Sequence, residues 1–160
     1  MKRIELTQGK FAIVDDWRFE ELNCYKWKVM WNKATKSFYA VRSLPRENGN
    51  RKTSLMHRVV SKTESGMYCD HINHNTLDNR ECNLRNVTNS QNMMNRSGAQ
   101  VNSKSGVRGV VWNSDRGKWQ AQIRKNRKNI YLGLFESLDD AANAYRDANK
   151  KYFGEYGGKP

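Results

Sequence analysis

The stretch Cys69–Arg96, CDHINHNTLDNRECNLRNVTNSQNMMNR, gathers a carboxylate, an imidazole and several carboxamides into about one small supersecondary unit. Asp70 and His71 are adjacent, Asn83–Leu84 follows, and Asn86, Asn89, Asn92 and Asn95 form an Asn-rich run. Such a stretch is too polar for a core and too particular for a linker. Its residue types suit phosphodiester hydrolysis, which needs a metal on the phosphate, a base to take a proton from water, and positive charge to hold the backbone. Asp70 is a hard oxygen ligand suited to Mg²⁺ or Mn²⁺. His71 is neutral near pH 7 and can accept a proton. Asn92 offers a second oxygen without further charge, and the other asparagines leave that assignment open by a turn. Few protein ligands are needed, because Mg²⁺ keeps waters and takes phosphate oxygens.

These groups have to be positioned. Neighbours on a regular strand point to opposite faces. Asp70 and His71 therefore serve one centre only if the strand ends or bends there, or if the scissile phosphate lies between them. The loop after Ile72, NHNTLDNR, permits such an end. It also carries His74, a rival base on chemistry alone whose ordinary role is that of a solvated loop histidine. His57 lies in Thr53–Lys62, where Leu55, Met56, Val59 and Val60 recur at helical spacing; it reads as structural, with a phosphate contact as the alternative.

The remaining composition points to a polyanion. Of 160 residues, 29 are Lys or Arg and 16 are Asp or Glu, a net charge of +13. The charge clusters: eight basic residues and a single acidic one, Asp115, lie between Lys104 and Lys128. Nucleic acid is the expected partner, ahead of an anionic membrane surface. Only 37% of residues are hydrophobic, so the core should be modest and split into local clusters. Cys24, Cys69 and Cys82 are an odd set with no CxxC, which argues against a disulfide framework or a cysteine zinc site. No signal peptide or membrane span is expected.

Residues 1–53 read as β-rich. Ile4–Leu6 and Phe11–Val14 are short strands around Gln8–Gly9, and Asp15 or Asp16 caps a short helix through Leu22, with Trp17, Phe19 and Leu22 available for packing. Trp27–Trp31 and Phe38–Val41 flank polar Asn32–Ser37 as a hairpin. Its basic surface is either a solvated face or a phosphate contact. Glu47–Asn50 is a loop, and SGAQVNSKS at 97–105 is small and polar. Further on, Val107–Trp112, Lys118–Lys125 and Asn129–Phe135 are candidate strands. A helix follows, begun by Ser137 and Asp140 in a capping-box variant and ended by Gly154. Leu138, Ala141, Ala142, Tyr145, Ala148 and Tyr152 make its apolar stripe. Trp119, Ala121 and Ile123 alternate with Gln120, Gln122 and Arg124, which predicts one face against the helix and one polar, basic face left open.

The central stretch resembles the HNH homing endonucleases of phage genomes and introns. The matching residues are Leu-Met-His-Arg at 55–58, Asp70-His71-Ile72-Asn73, Leu77-Asp78-Asn79-Arg80, Asn83-Leu84-Arg85 and Thr88–Asn92. The resemblance implies a ββα-metal unit, with His71 as general base, Asp70 and Asn92 on a single divalent metal, and Asn83 shaping the loop and orienting the histidine. Cys69 stands where an aliphatic residue is usual, and Asn73 where Asp is common.

Residues 106–158 resemble the plant ethylene-response-factor, or APETALA-type, DNA-binding domain. Arg108-Gly109-Val110, Gly117-Lys118-Trp119, Ala121–Arg124, Tyr131–Phe135 and Asp140–Tyr145 carry the likeness. It implies a sheet lying in the DNA major groove, with Arg108, Gln122, Arg124 and Tyr131 facing DNA and Arg116 and Lys118 touching backbone or nearby bases. Val111, Arg116 and Asn129 depart from the plant pattern, so plant target sequences do not transfer.

The expected fold is α+β: a β-rich N-terminal segment with a ββα-metal HNH unit, then a three-stranded antiparallel sheet packed on one helix. The expected parts are an N-terminal segment at 1–53, a nuclease unit at 54–97, a linker at 98–105 and an APETALA-like domain at 106–160. The expected function is site-preferring, metal-dependent hydrolysis of double-stranded DNA with one Mg²⁺ or Mn²⁺ and no small-molecule cofactor. A monomer should nick; a two-fold dimer is the simplest route to a double-strand cut. The place of work is a cytoplasm, the bacterial host's if the gene is phage-borne. The alternatives are a sequence-specific DNA-binding protein with an inactive HNH unit, and an RNA-binding protein using the aromatic N-terminal sheet.

Overall fold

The computed structural model describes residues 1–46, 49–95, 98–99 and 102–157. The chain divides into two units, Met1–Asn89 and the part from Ser90 onward. Of the expected loop at Glu47–Asn50, residues 47 and 48 lie outside the described set, as do residues 100 and 101 of the expected linker.

In the first unit, β1 (Lys2–Glu5) and β2 (Phe11–Val14) pair antiparallel, Ile4 opposite Ala12. Alternation puts Ile4, Ala12 and Val14 into the core. The turn between them needs left-handed backbone at Gln8 and Gly9. Helix α1 (Phe19–Asn23) follows and buries Leu22. Two expectations are corrected here. Trp17 stays out of the core, 65% exposed with the Arg18 guanidinium 4.5 Å from its ring centroid, and Arg18 is buried instead. Arg18 meets Glu21 at 2.8 Å and Glu81 at 2.9 Å, which offsets the cost of burying a guanidinium. Asp15 stands at the N-cap position before Asp16–Arg18, but its side chain makes no capping bond: its carboxylate accepts from the Glu81 amide at 2.8 Å.

Strands β3 (Lys28–Asn32), β4 (Ser37–Ser43) and β5 (Thr53–Leu55) form a sheet in that order. Asn32 Oδ1 holds the hairpin turn by accepting from the amides of Ala34 and Thr35. The helix expected across 53–62 is shorter than the spacing suggested. Thr53–Leu55 joins the free edge of β4, Val41 opposite Leu55, and only Met56–Val60 turns into α2. The backbone ladder outcompetes helical propensity at those three residues. Met56 and Val60 face the core with Leu6, Leu22, Trp27, Val29, Ala40 and Leu84. Strands β6 (Tyr68–His71) and β7 (Leu84–Val87) pair as a two-stranded sheet, and α3 (Asn89–Met94) comes next in the chain.

The second unit holds β8 (Val110–Asn113), β9 (Lys118–Lys125) and β10 (Lys128–Phe135), with β9 in the middle. The first strand begins later than the apolar pattern suggested, because Gly109 takes φ +73°. Asn126 and Arg127 both have positive φ and close the β9–β10 hairpin. Helix α4 (Leu138–Phe153) starts at Ser137, whose side chain accepts from the amides of Asp139 and Asp140. Ala141, Tyr145, Ala148 and Phe153 pack on Val110, Ala121 and Ile123. This is the α+β arrangement expected, with the sheet covered on one face by one helix.

Candidate active site and nucleic-acid face

The carboxylate and imidazole lie at the end of a strand. Asp70 faces Arg85 across the β6–β7 ladder and His71 faces Leu84. Consecutive residues take opposite faces, and β6 stops at His71, where the His74 amide donates to the His71 carbonyl at 3.0 Å. Both side chains are buried.

The loop joining the strands is held by its own carboxamides. Asn83 accepts from the Asn73 amide at 3.0 Å and donates to the Asp78 carbonyl at 2.8 Å. Asn73 donates to Asp78 Oδ2 at 2.9 Å and accepts from the Asn75 amide at 2.8 Å. Arg80 clasps Asp78 through Nε at 2.7 Å and Nη2 at 2.6 Å. That side-chain bond, against the opposing effect of burial, holds the Asp78 carboxyl below the usual carboxylate range. The loop also hooks onto β2: Ile13 donates to the Leu77 carbonyl, and Asn79 donates back to the Ile13 carbonyl, each at 2.8 Å.

This hook delivers Asn79 to the imidazole. Asn79 is 1% exposed. Its amide nitrogen donates to the Leu77 carbonyl at 3.2 Å, so its oxygen faces His71 Nε2, at 3.4 Å. Nε2 therefore carries the hydrogen and the basic lone pair belongs to Nδ1, an assignment that follows from the amide's orientation. Burial pushes the His71 pKa down, partly countered by the Asn79 bond and the charges of Asp70 and Asp78. The ring is thus held neutral, as a base must be. His57 packs edge-on to His71 with centroids 5.1 Å apart, and Tyr39 flanks both rings. Burial, with His71 and Arg58 nearby, lowers the His57 pKa to about 3. The structural reading of His57 fits this packing. Asn79 was missed as a partner of His71, although the Leu-Asp-Asn-Arg quartet was its signal.

Asp70 Oδ2 accepts from Arg85 Nε at 2.9 Å. His74 has left-handed backbone in the loop. Asn92 lies on α3, beyond the boundary between the units. Among the described residues no group of three or more His, Cys, Asp and Glu side chains could hold a metal ion.

In the second unit the register sorts the expected DNA-facing residues. Tyr131 stands opposite Gln122, Asn129 opposite Arg124, and Asn113 opposite Lys118. These share the face turned away from buried Ala121 and Ile123, and Arg124 and Tyr131 are exposed. Lys118 pairs with Glu136 at 2.8 Å. Arg116 is exposed in the β8–β9 turn. Arg108 is engaged elsewhere: its guanidinium donates to the carbonyls of Met93 and Met94, both at 3.1 Å. A cation at the end of α3 meets the carbonyl-rich end of the helix dipole.

A strand-terminal acid and a buried histidine, beside a loop braced by asparagines, are groups that could serve phosphodiester hydrolysis. The family model described as HNH endonuclease matches residues 55–94. The chain is also 30% identical over 155 residues, 93% of its length and 74% of the other's, to an uncharacterized HNH endonuclease of Acanthamoeba polyphaga mimivirus. No solved structure matches it. The chain belongs to the HNH endonuclease family, which implies nuclease activity on DNA and, as is typical of these nucleases, use of a divalent metal. No helix among the described residues is long and apolar enough to cross a membrane.

Proposed function

We propose that this protein is a site-preferring, homing-type endonuclease that nicks duplex DNA as a monomer. The observation that carries the reading is His71: a buried imidazole at a strand end, held neutral, oriented by Asn79 and adjacent to a carboxylate. His71 Nδ1 takes a proton from the attacking water while Asn79 retains the hydrogen on Nε2. Asn83 keeps the loop in shape through its bonds to residues 73 and 78. Asp70 and Asn92 would hold the metal; a carboxylate and a carboxamide are hard oxygen donors that suit Mg²⁺ or Mn²⁺. The bound ion would polarise the phosphate and stabilise charge on the leaving oxygen.

The second unit is the APETALA-like targeting part. Gln122, Arg124 and Tyr131 on one open sheet face, with Lys118 and Arg116 at its edge, suit a duplex groove; arginine and glutamine forks can read guanine and adenine edges. Arg108 supports this part indirectly, through the end of α3. Phosphate contacts supply affinity and register, and the sheet face supplies preference.

The test uses supercoiled plasmid with Mg²⁺ or Mn²⁺, with and without chelator, beside His71→Ala. Metal-dependent nicking that the variant loses is expected. Retarded but uncut plasmid in every lane would make this a DNA-binding protein with an inactive HNH unit.

A further inference from the structure

Arg85 grips the carboxylate assigned above to the metal. Its Nε and Nη2 both lie 2.9 Å from Asp70 Oδ2, and the two side chains are only 14% and 9% exposed. Two further ion pairs of this unit, each with one buried partner, have evident structural work. Arg18 ties α1 to Glu81, and Arg80 closes the catalytic loop on Asp78. Asp70 and Arg85 join two strands that a ladder of four residue pairs already joins. A buried ion pair brings little net stability, because desolvation cancels much of its attraction. Fold stability therefore does not account for it.

Its chemistry does. A guanidinium in direct contact with a carboxylate neutralises the charge that would attract a divalent cation, and like charges so close repel strongly in a site of low dielectric. A guanidinium also binds phosphate as readily as carboxylate. We propose that Arg85 is a latch on Asp70: it holds the carboxylate in the DNA-free protein, competes with the metal, and passes to a backbone phosphate when duplex binds. Metal affinity is then low until DNA supplies the replacement anion, so the base and the metal come together only on substrate. This rests on the reading of Asp70 as a ligand.

Mn²⁺ binding to the full chain without DNA, followed by electron paramagnetic resonance, tests the latch. Arg85→Gln should bind about tenfold tighter than the unaltered protein, Arg85→Lys, which keeps the charge, close to unaltered, and Asp70→Asn far more weakly. If Asp70→Asn binds as well as the unaltered protein, the ligand reading falls. If Asp70→Asn loses binding but Arg85→Gln does not gain, the latch alone falls. A second measurement needs no variant that might misfold. In nitrogen-edited NMR the Arg85 Nε–H should lose protection from exchange on saturation with Mg²⁺, and its signal should move when a short duplex is added in chelator. A signal unchanged in either titration overturns the latch.

Discussion

Asn79 Oδ1 meets His71 Nε2 at 3.4 Å, with the orientation of the amide set by its bond to the Leu77 carbonyl. Asn79→Ala should therefore lower single-turnover cleavage on the order of tenfold to a hundredfold, since the ring is free to turn or change tautomer. DNA affinity should be unchanged. Asn79→Asp keeps an acceptor but loses the donor to the Leu77 carbonyl and sets a buried carboxylate beside the imidazole, so it should shift the pH profile of cleavage upward rather than restore activity. Equal loss of binding and cleavage in Asn79→Ala would make the residue a loop brace only.

His57 links stability to pH. Its folded pKa is about 3, against 6.5 for an ordinary histidine. Well above pH 6.5 neither state carries the proton and stability is full; as pH falls through 6.5 towards 3, the unfolded chain binds a proton that the folded chain does not. By pH 5 this has cost about 2 kcal/mol. Urea unfolding across that range should show the loss, and His57→Phe, which keeps an aromatic ring between Tyr39 and His71, should remove most of it. An unaltered slope in the variant would assign the acid sensitivity to other groups.

Gly109 and Gly117 separate two reasons for glycine. A Cβ at Gly109 would lie 2.2 Å from the Tyr145 ring and 2.5 Å from the Gln122 carbonyl, at φ +73°. Gly117, at φ +60°, has nothing within 4 Å. Gly109→Ala should cost about 3 kcal/mol or more from clash and strain together, and Gly117→Ala about 1 kcal/mol from backbone conformation alone. Thermal melting of the two variants, ranked the other way, would refute the close packing of the RGV turn on α4.

Arg124 is exposed opposite Asn129 on the open sheet face. Arg124→Ala should weaken binding to a duplex selected from random sequence by about 1–3 kcal/mol, and binding to unselected duplex less. Equal loss on both would make it a phosphate contact.

What could be read from the sequence divides along physical lines. Periodicity and caps are local, so the β3–β4 hairpin, the alternation of β9 and the start of α4 at Ser137 were legible. Motif order pointed to Asn83 as the residue that holds the loop, as its bonds to Asn73 and Asp78 show. Tertiary partnerships were not legible. Nothing local announces that Arg18 rather than Trp17 goes inside, since the reason is Glu81, 63 residues away. Thr53–Leu55 reads as helix until the free edge of β4 is known. The bond between Asn79 and His71 depends on a hook to Ile13 far upstream, and Arg108 is engaged by the carbonyls of Met93 and Met94 at the end of α3.

That hook to β2 also bears on how such nucleases can be recombined. The stretch that matches the family runs from residue 55 to residue 94, yet the loop carrying Asn79 is fastened in both directions to Ile13. A graft of the matched stretch alone would transplant the acid and the base without their anchorage. A portable cassette therefore has to reach upstream to Phe11–Val14, so productive gene fusions should join ahead of the β1–β2 hairpin and not at residue 55.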